Sequence, residues 1–193
     1  MPSEAREARR EAARSWALGL TWAARAEALS VLVAAEATSD LHHEVEMVVA
    51  LAAGGIDLSP EPATALIWGY GVGLDLTRRD LQAQAKAKGN PWDTGKAFDD
   101  SAPVSALRAA ADVRLAAGTV LQLQVNGDER QRTTLDQMVH TVPEIIAALS
   151  GLFELKAGDL IFTGTPAGVA ALQRGDVSHA ELEGVAALRG RIV

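Results

Sequence analysis

The sequence predicts a β-dominated α+β domain, and three observations lead to this prediction. Short apolar runs rich in β-forming residues and glycine follow one another from residue 43 onward. One segment alternates apolar and polar residues and leads into an Asn-Gly dipeptide, which is typical of a hairpin turn. One further segment carries complete start and stop signals of a helix. Many strands with one or two helices define the α+β class.

The size and composition of the chain favour an ordinary folded domain. Its 193 residues are 48% hydrophobic and 22% charged, with no run of about 18 apolar residues that could cross a membrane. The formal net charge is −7 without a basic stripe, which disfavours a nucleic-acid partner. Cysteine is absent, which excludes thiolate chemistry and is compatible with a cytoplasmic protein.

Residues 1–39 differ in composition from the rest of the chain. From Met1 to Ala37 there are five Arg, five Glu and no Lys among many alanines, so the net negative charge falls on the remainder. This pattern predicts a helical surface arm. The acidic residues ahead of a weakly apolar stretch disfavour a secretion signal. We therefore divide the chain into an arm at 1–39 and a second unit at 40–193.

The second unit contains the predicted strands and the capped helix. The strands are predicted from β-forming runs, alternation and turn residues at 43–51, 67–76, 119–125, 129–132, 159–163 and 188–193. The helix has Thr141 as its N-cap, Pro143 in its first turn and Glu144 completing a capping box, and Gly151 ends it.

Two glutamates on the first of these strands form a candidate metal site. Residues two apart on a strand face the same side, so Glu44 and Glu46 project together. Two carboxylates within an apolar run are costly unless a cation lies between them, and Mg²⁺ or Mn²⁺ prefers carboxylate oxygens. The alternative is a solvent-facing strand edge with alternating polar residues.

Three further segments contain candidate functional residues. Asp75 is an acid in a glycine-spaced strand and is either a third metal ligand or the cap of a helix that begins near Thr77 or Arg78. Lys96 lies in a turn-rich loop, where a lysine is ordinarily solvated. In 162–168, glycines beside hydroxyls allow backbone N–H groups to meet a carboxylate, and a plain turn is the alternative.

The histidines contribute less to the expected chemistry. His43 precedes the glutamate pair and is a candidate for orienting a ligand. His140 precedes the helix cap and His179 lies among surface-like residues, so we interpret both as structural. The sequence shows no Ser-His-Asp arrangement.

The order and spacing of these motifs resemble the fumarylacetoacetate hydrolase family, specifically its small bacterial acylpyruvate or fumarylpyruvate hydrolase branch. The motifs that carry the resemblance are DLHHEVEMVVAL, GYGVGLDLTRRDLQ, PWDTGKAFD, VNGDERQ, VPEIIAALSGLFELKAGDLIFTGTPAGV and QRGD. The resemblance covers Asp40 to Val193. It implies the mixed β-sandwich roll of the family's C-terminal domain, a homodimer and one Mg²⁺ or Mn²⁺ ion in each subunit.

The resemblance also implies roles for individual residues. The metal ligands that it implies are Glu44, Glu46 and Asp75. The substrate-binding residues that it implies are Arg79, Gln82, Lys96 and Thr165, with Lys96 and Arg79 acting in catalysis.

The implied activity is hydrolysis of a C–C bond in a 3-acylpyruvate such as fumarylpyruvate, a small 2-oxo acid. Ahead of Asp40 the sequence departs from the family, because Arg25 stands where the lid histidine of this branch is found. Two alternatives therefore remain. One is enolate chemistry without water, as in an oxaloacetate decarboxylase or a dienoate isomerase or tautomerase. The other is a catalytically impaired homologue that binds a 2-oxo acid and a metal.

Overall fold

A computed structural model of the protein describes residues 29–31 and 38–193. Most of the predicted helical arm at 1–39, including the lid segment around Arg25, lies outside these residues. The part of it at Leu29–Val31 is described and forms a strand rather than a helix. Within the part of the chain that the structure describes, the strands are β1 (Leu29–Val31), β2 (Leu41–His42), β3 (Val45–Leu51), β4 (Ile67–Leu74), β5 (Thr77–Arg78), β6 (Arg108–Ala109), β7 (Val120–Val125), β8 (Asp128–Thr134), β9 (Leu160–Phe162), β10 (Val177–Leu182) and β11 (Ala186–Ile192).

Helices are few and short in the same residues. They are α1 (Pro60–Ala63), α2 (Arg79–Ala87), α3 (Asp93–Lys96) and α4 (Val142–Ser150), and three single turns of 3-10 helix accompany them. None of these helices combines the length and the apolar character needed to cross a bilayer. The predicted β-dominated α+β class is therefore confirmed.

Two larger sheets pack around one core. The first has the order β1-β11-β10-β7-β8, in which β1 runs parallel to β11 and the other pairs are antiparallel. The second is antiparallel with the order β6-β4-β3-β9, and β2 and β5 form a separate pair. Side chains of β3 and β4 share the core with those of β7 and β10 and with Ile146 of α4.

The strands predicted from the sequence have side chains buried on one face or on both faces of their sheet. All seven residues of β3 are buried, because β3 lies between β4 and β9 with both faces covered. In β7, Leu121, Leu123 and Val125 are buried and the glutamines between them are partly exposed, which is the alternation that the sequence shows. Asn126 and Gly127 have φ angles of 55° and 89°, and they form the predicted turn between β7 and β8.

The predicted helix also forms where its capping signals place it. The Glu144 carboxylate accepts hydrogen bonds from the backbone N–H and the hydroxyl of Thr141, at 2.7 and 2.8 Å. The helix ends at Ser150, directly before Gly151.

The main differences from the sequence prediction are the start of β3, the end of β4 and one unpredicted strand. Strand β3 begins at Val45, so Glu44 directly precedes it. Strand β4 ends at Leu74, and Thr77–Arg78 pairs with β2, so the following helix begins only at Arg79. Strand β10 was not predicted, because two of its inward side chains, Ser178 and Ala180, are small and give a weak apolar signal.

Gly73 allows β4 to pack closely against β3 and β9. We call β3, which carries Glu46 and directly follows Glu44, the glutamate strand. Gly73 is the antiparallel partner of Glu46, and a Cβ atom there would lie 2.8 Å from the Phe162 ring and 2.9 Å from the Val48 side chain. A side chain at this position must therefore displace core atoms.

We expect Gly73→Ala to lower the free energy of unfolding by about 1–3 kcal/mol, since it overpacks this contact. Urea denaturation measures the change. Gly118→Ala is the matched control, because nothing lies within 4 Å of a Cβ built there. Equal stabilities of the two variants would contradict the packing argument.

Candidate active site

Three carboxylates converge where β3 begins and β4 ends. Glu44 precedes β3 and Glu46 lies on it, while Asp75 directly follows β4, the antiparallel neighbour. The backbone N–H of Asp75 donates to the carbonyl of Glu44 at 2.8 Å, which holds the two chain segments together. One carboxylate oxygen from each residue lies within 4.8 Å of the others. We call these three residues the carboxylate cluster.

Two cations contact the carboxylate cluster. The Lys96 ammonium donates to Glu44 Oε2 at 2.8 Å and to Asp75 Oδ2 at 2.6 Å. The Arg79 guanidinium donates to Glu44 Oε1 at 2.6 Å and to Gln82 Oε1 at 2.6 Å. Lys96 is therefore not the solvated loop lysine that its local sequence suggests, because it ends helix α3 and faces the carboxylates. Arg79 and Gln82 come from the first turn of α2.

The structure distinguishes between the two interpretations of Asp75. It does not cap a helix, since α2 begins at Arg79 and the residue before it is Arg78. One oxygen of Asp75, Oδ2, accepts from Lys96. The other, Oδ1, is buried and has no hydrogen-bond partner among residues 29–31 and 38–193. An unpartnered buried carboxylate oxygen is costly, so this atom is suited to receive a cation.

The loop after β9 completes the surroundings of Glu46. The backbone N–H of Gly164 donates to Glu46 Oε2 at 2.6 Å, so the carboxylate that this loop meets belongs to the protein itself. The Thr165 hydroxyl donates to the carbonyl of Val45 at 2.9 Å. The loop is thus fixed against both the side chain and the backbone of the glutamate strand.

Burial and charge give the three acids different proton affinities. Burial raises the pKa of Glu46 to about 7, although the Gly164 hydrogen bond opposes this, and the charges of Asp75 and Glu44 add to the rise. Burial also raises the pKa of Asp75, against the opposing hydrogen bond of Lys96. For Glu44 the effect of burial is outweighed by Lys96 and Arg79, whose hydrogen bonds and charges leave its pKa below the ordinary value.

The carboxylate cluster fits a hard divalent cation. Three acids face two cationic side chains, so their full ionisation leaves one negative charge uncompensated in a mostly buried site. Mg²⁺ and Mn²⁺ take several carboxylate oxygens and leave coordination positions for water or substrate. The unpartnered Oδ1 of Asp75 and the close approach of the three acids are the observations that support this fit.

His43 does not reach the carboxylate cluster through any hydrogen bond of the described residues. It is fully buried, and its Nδ1 bonds to Gln131 Oε1 at 2.9 Å. Burial lowers its pKa, with Gln131 opposing, so the ring stays neutral near pH 7. Sequence reasoning assigned no role to Gln131, although it ends the motif VNGDERQ. No signal in the sequence alone marks its side chain as buried.

The fold is that of the fumarylacetoacetate hydrolase family, and the chain belongs to this family. The family model "Fumarylacetoacetate (FAA) hydrolase C-terminal" matches residues 4–193. The resemblance found in the motifs and the fold expected from it are both confirmed.

Individual relatives are enzymes that act on small oxo acids. The chain is 44% identical to a fumarylpyruvate hydrolase of Ralstonia sp. over 149 residues, which cover 77% of each protein. It is 46% identical to the oxaloacetate tautomerase YcgM of Escherichia coli (strain K12) over 137 residues, 70% of this chain and 63% of the relative.

A solved structure shows the same fold. The fumarylpyruvate hydrolase of Pseudomonas aeruginosa in complex with Mn²⁺ and pyruvate superposes with a TM-score of 0.82 and 43% identity, over 86% of this chain and 71% of the other.

The raised pKa of Glu46 predicts a pH-dependent stability in the presence of EDTA. The pKa of Glu46 is about 7 in the folded protein against an ordinary 4.5. The contribution of protonated Glu46 to the free energy of unfolding is therefore fully present below pH 4.5 and is lost as the pH rises through 7. Relative to Glu46→Gln, the wild type should lose roughly 3 kcal/mol of unfolding free energy over this range. Urea denaturation at each pH measures the difference.

A matched control for this titration is Glu129→Gln, which changes an exposed carboxylate on β8. Its stability difference from the wild type, measured at the same pH values, is the baseline for the loss of one carboxylate. A pH dependence for Glu46→Gln no larger than this baseline would contradict the raised pKa of Glu46.

Proposed function

We propose that the protein is a metal-dependent enzyme that hydrolyses a C–C bond in a 3-acylpyruvate such as fumarylpyruvate. The observation that carries this proposal is the carboxylate cluster flanked by Lys96 and Arg79. The fumarylpyruvate hydrolases among the relatives support it, and one of them is solved with Mn²⁺ and pyruvate.

In this proposal Glu44, Glu46 and Asp75 hold Mg²⁺ or Mn²⁺. When bound there, such a cation would supply Lewis-acid polarisation of the substrate's 2-oxo group. The chain supplies the ligands from two segments that backbone hydrogen bonds hold together, so the site is largely preformed.

The cationic side chains stabilise the charge of the substrate. The Arg79 guanidinium is fixed by Glu44 and Gln82, and it offers a planar donor for the substrate carboxylate. Since the Gln82 oxygen accepts from Arg79, its amide NH₂ group is left as a donor for a substrate oxygen.

The Lys96 ammonium places a positive charge beside the enolate that C–C cleavage leaves. Burial lowers the pKa of Lys96, but its bonds to Asp75 and Glu44 outweigh this and raise the pKa, so it stays protonated.

Hydrolysis also needs a base that delivers water to the distal carbonyl. Arg25 stands where this branch of the family has its lid histidine, and this substitution favours a second candidate function. Tautomerisation or decarboxylation of oxaloacetate, or isomerisation of a dienoate, needs the same enolate stabilisation without attack by water. The oxaloacetate tautomerase among the relatives supports this second candidate.

A panel of substrates separates these functions. The protein is assayed with fumarylpyruvate, oxaloacetate and a dienoate, each with Mg²⁺, Mn²⁺ or EDTA. Loss of ultraviolet absorbance with release of two acids indicates hydrolysis, and CO₂ release indicates decarboxylation. Keto–enol exchange without either indicates tautomerisation. We expect acylpyruvate hydrolysis that EDTA and Glu46→Ala both abolish.

Two other outcomes of the panel would reject the proposal. Full activity in EDTA would remove the metal from the mechanism. Inactivity on every substrate, with metal-dependent thermal stabilisation by oxalate, would leave a binding protein. The homodimer that the family resemblance implies is proposed as well, and light scattering after size-exclusion chromatography tests it.

Removing the Lys96 ammonium should separate metal binding from turnover. Lys96→Met is expected to lower kcat about 10²- to 10³-fold, because the developing enolate loses its charge partner. Mn²⁺ affinity, measured by calorimetry, should be retained or increased, since the ammonium no longer competes for Glu44 and Asp75. Lys88→Met, at an exposed residue after α2, is the control. A wild-type kcat for Lys96→Met would exclude the lysine from the mechanism.

A further inference from the structure

The Gln131 side chain lies near the candidate site and has hydrogen-bond partners for both its oxygen and its nitrogen. It lies on β8 and is 1% exposed. Its Oε1 accepts from His43 Nδ1 at 2.9 Å and from the Val45 N–H at 3.1 Å. Its Nε2 donates to the Thr165 hydroxyl at 2.8 Å and to the Pro166 carbonyl at 2.9 Å. All four hydrogen-bonding positions of the carboxamide are therefore used.

The partners of Gln131 fix its orientation. The Val45 N–H can only donate and the Pro166 carbonyl can only accept, so the oxygen and the nitrogen of the amide cannot be exchanged. His43 must then donate from Nδ1, which defines its tautomer. Polar contacts that allow only one arrangement are suited to setting the position of neighbouring groups.

Gln131 contacts both segments that hold the carboxylate cluster in place, namely the glutamate strand and the loop after β9. Val45 lies between Glu44 and Glu46, and Thr165 follows Gly164, whose N–H donates to Glu46. The Thr165 hydroxyl accepts from Gln131 and donates to the Val45 carbonyl, which closes the network. One amide therefore bridges the glutamate strand and the loop that binds Glu46.

The backbone of β8 is shaped to deliver this side chain. The pairing with β7 shifts between Leu123 and Gln124, so Arg130 is the extra residue of a β-bulge directly before Gln131. Bulges reorient side chains and are common beside active sites. The loop also approaches β8 closely, because a Cβ atom on Gly168 would lie 2.3 Å from the Arg130 carbonyl oxygen.

We propose that Gln131 is a positioning residue, which sets the distance between the glutamate strand and the 164–166 loop without touching the substrate. It acts through Val45 and Thr165, and so holds Glu46 in the geometry that a divalent cation requires. This proposal rests on the proposed metal-dependent function of the same site.

The test measures Mn²⁺ binding by calorimetry, together with kcat and KM on the active acylpyruvate. Gln131→Met keeps the volume but removes all four hydrogen bonds, and we expect Mn²⁺ affinity to fall about 10- to 100-fold. Gln122→Met is the matched control, because Gln122 lies on the adjacent strand β7 and bonds instead to Glu181 and Arg132. The control should bind Mn²⁺ as the wild type does.

A double-mutant cycle distinguishes positioning from a general contribution to stability. If Gln131 acts through Thr165, the losses in Mn²⁺ affinity from Gln131→Met and Thr165→Val do not add in the double variant. Should Gln131→Met fail to fold, Gln131→Glu replaces it, since this isosteric change removes both donors to the loop. It should likewise weaken Mn²⁺ binding.

Distinct outcomes overturn the two proposals. Wild-type Mn²⁺ affinity in the Gln131 variant, with only the urea midpoint lowered, would overturn the positioning role and leave the proposed function intact. Additive losses in the double-mutant cycle would do the same. Absence of Mn²⁺ binding by the wild type would overturn the proposed function, and the positioning role with it.

Discussion

The site depends on one electrostatic constraint, which is that three acids lie together in a mostly buried position. Like charges at this separation repel each other strongly where water is largely excluded. The protein compensates with Lys96, with Arg79 and with the N–H of Gly164. The compensation is incomplete, so the burial of Glu46, together with the charges of Asp75 and Glu44, raises its pKa. A divalent cation would supply the missing positive charge.

The surrounding fold brings the three acids and their cationic partners together and buries them. Antiparallel pairing of β3 with β4 brings Asp75 beside Glu44, and the turn into α2 brings Arg79 to the same place. Covering both faces of β3 excludes water from the glutamate strand. The fold thereby makes the acids costly to ionise and at the same time provides the groups that offset the cost.

Sequence reasoning predicted those parts of the structure that local patterns encode. Alternation predicted β7, the Asn-Gly pair predicted its turn, and the capping residues predicted α4. Strand periodicity placed Glu44 and Glu46 on one side, and the structure brings both together with Asp75. Lys96 needed the family resemblance, because its contacts depend on tertiary packing that its loop sequence does not specify.

Other features could not be predicted from local patterns. The inward direction of Gln131 depends on a bulge that is defined only by pairing with β7. Strand β10 was missed because small residues occupy two of its three inward positions. Both depend on which strands become neighbours, and this information is spread over the whole chain.

The large sequence separations within the site have a kinetic consequence. The hydrogen bond from Gly164 to Glu46 joins residues 118 positions apart, and the bond from Lys96 to Glu44 joins residues 52 positions apart. Contacts between such distant residues form late, because the entropy of closing the intervening loops must first be overcome. A nascent or partly folded chain therefore lacks the assembled carboxylate cluster. A cation held by this cluster would bind only after the chain topology is complete.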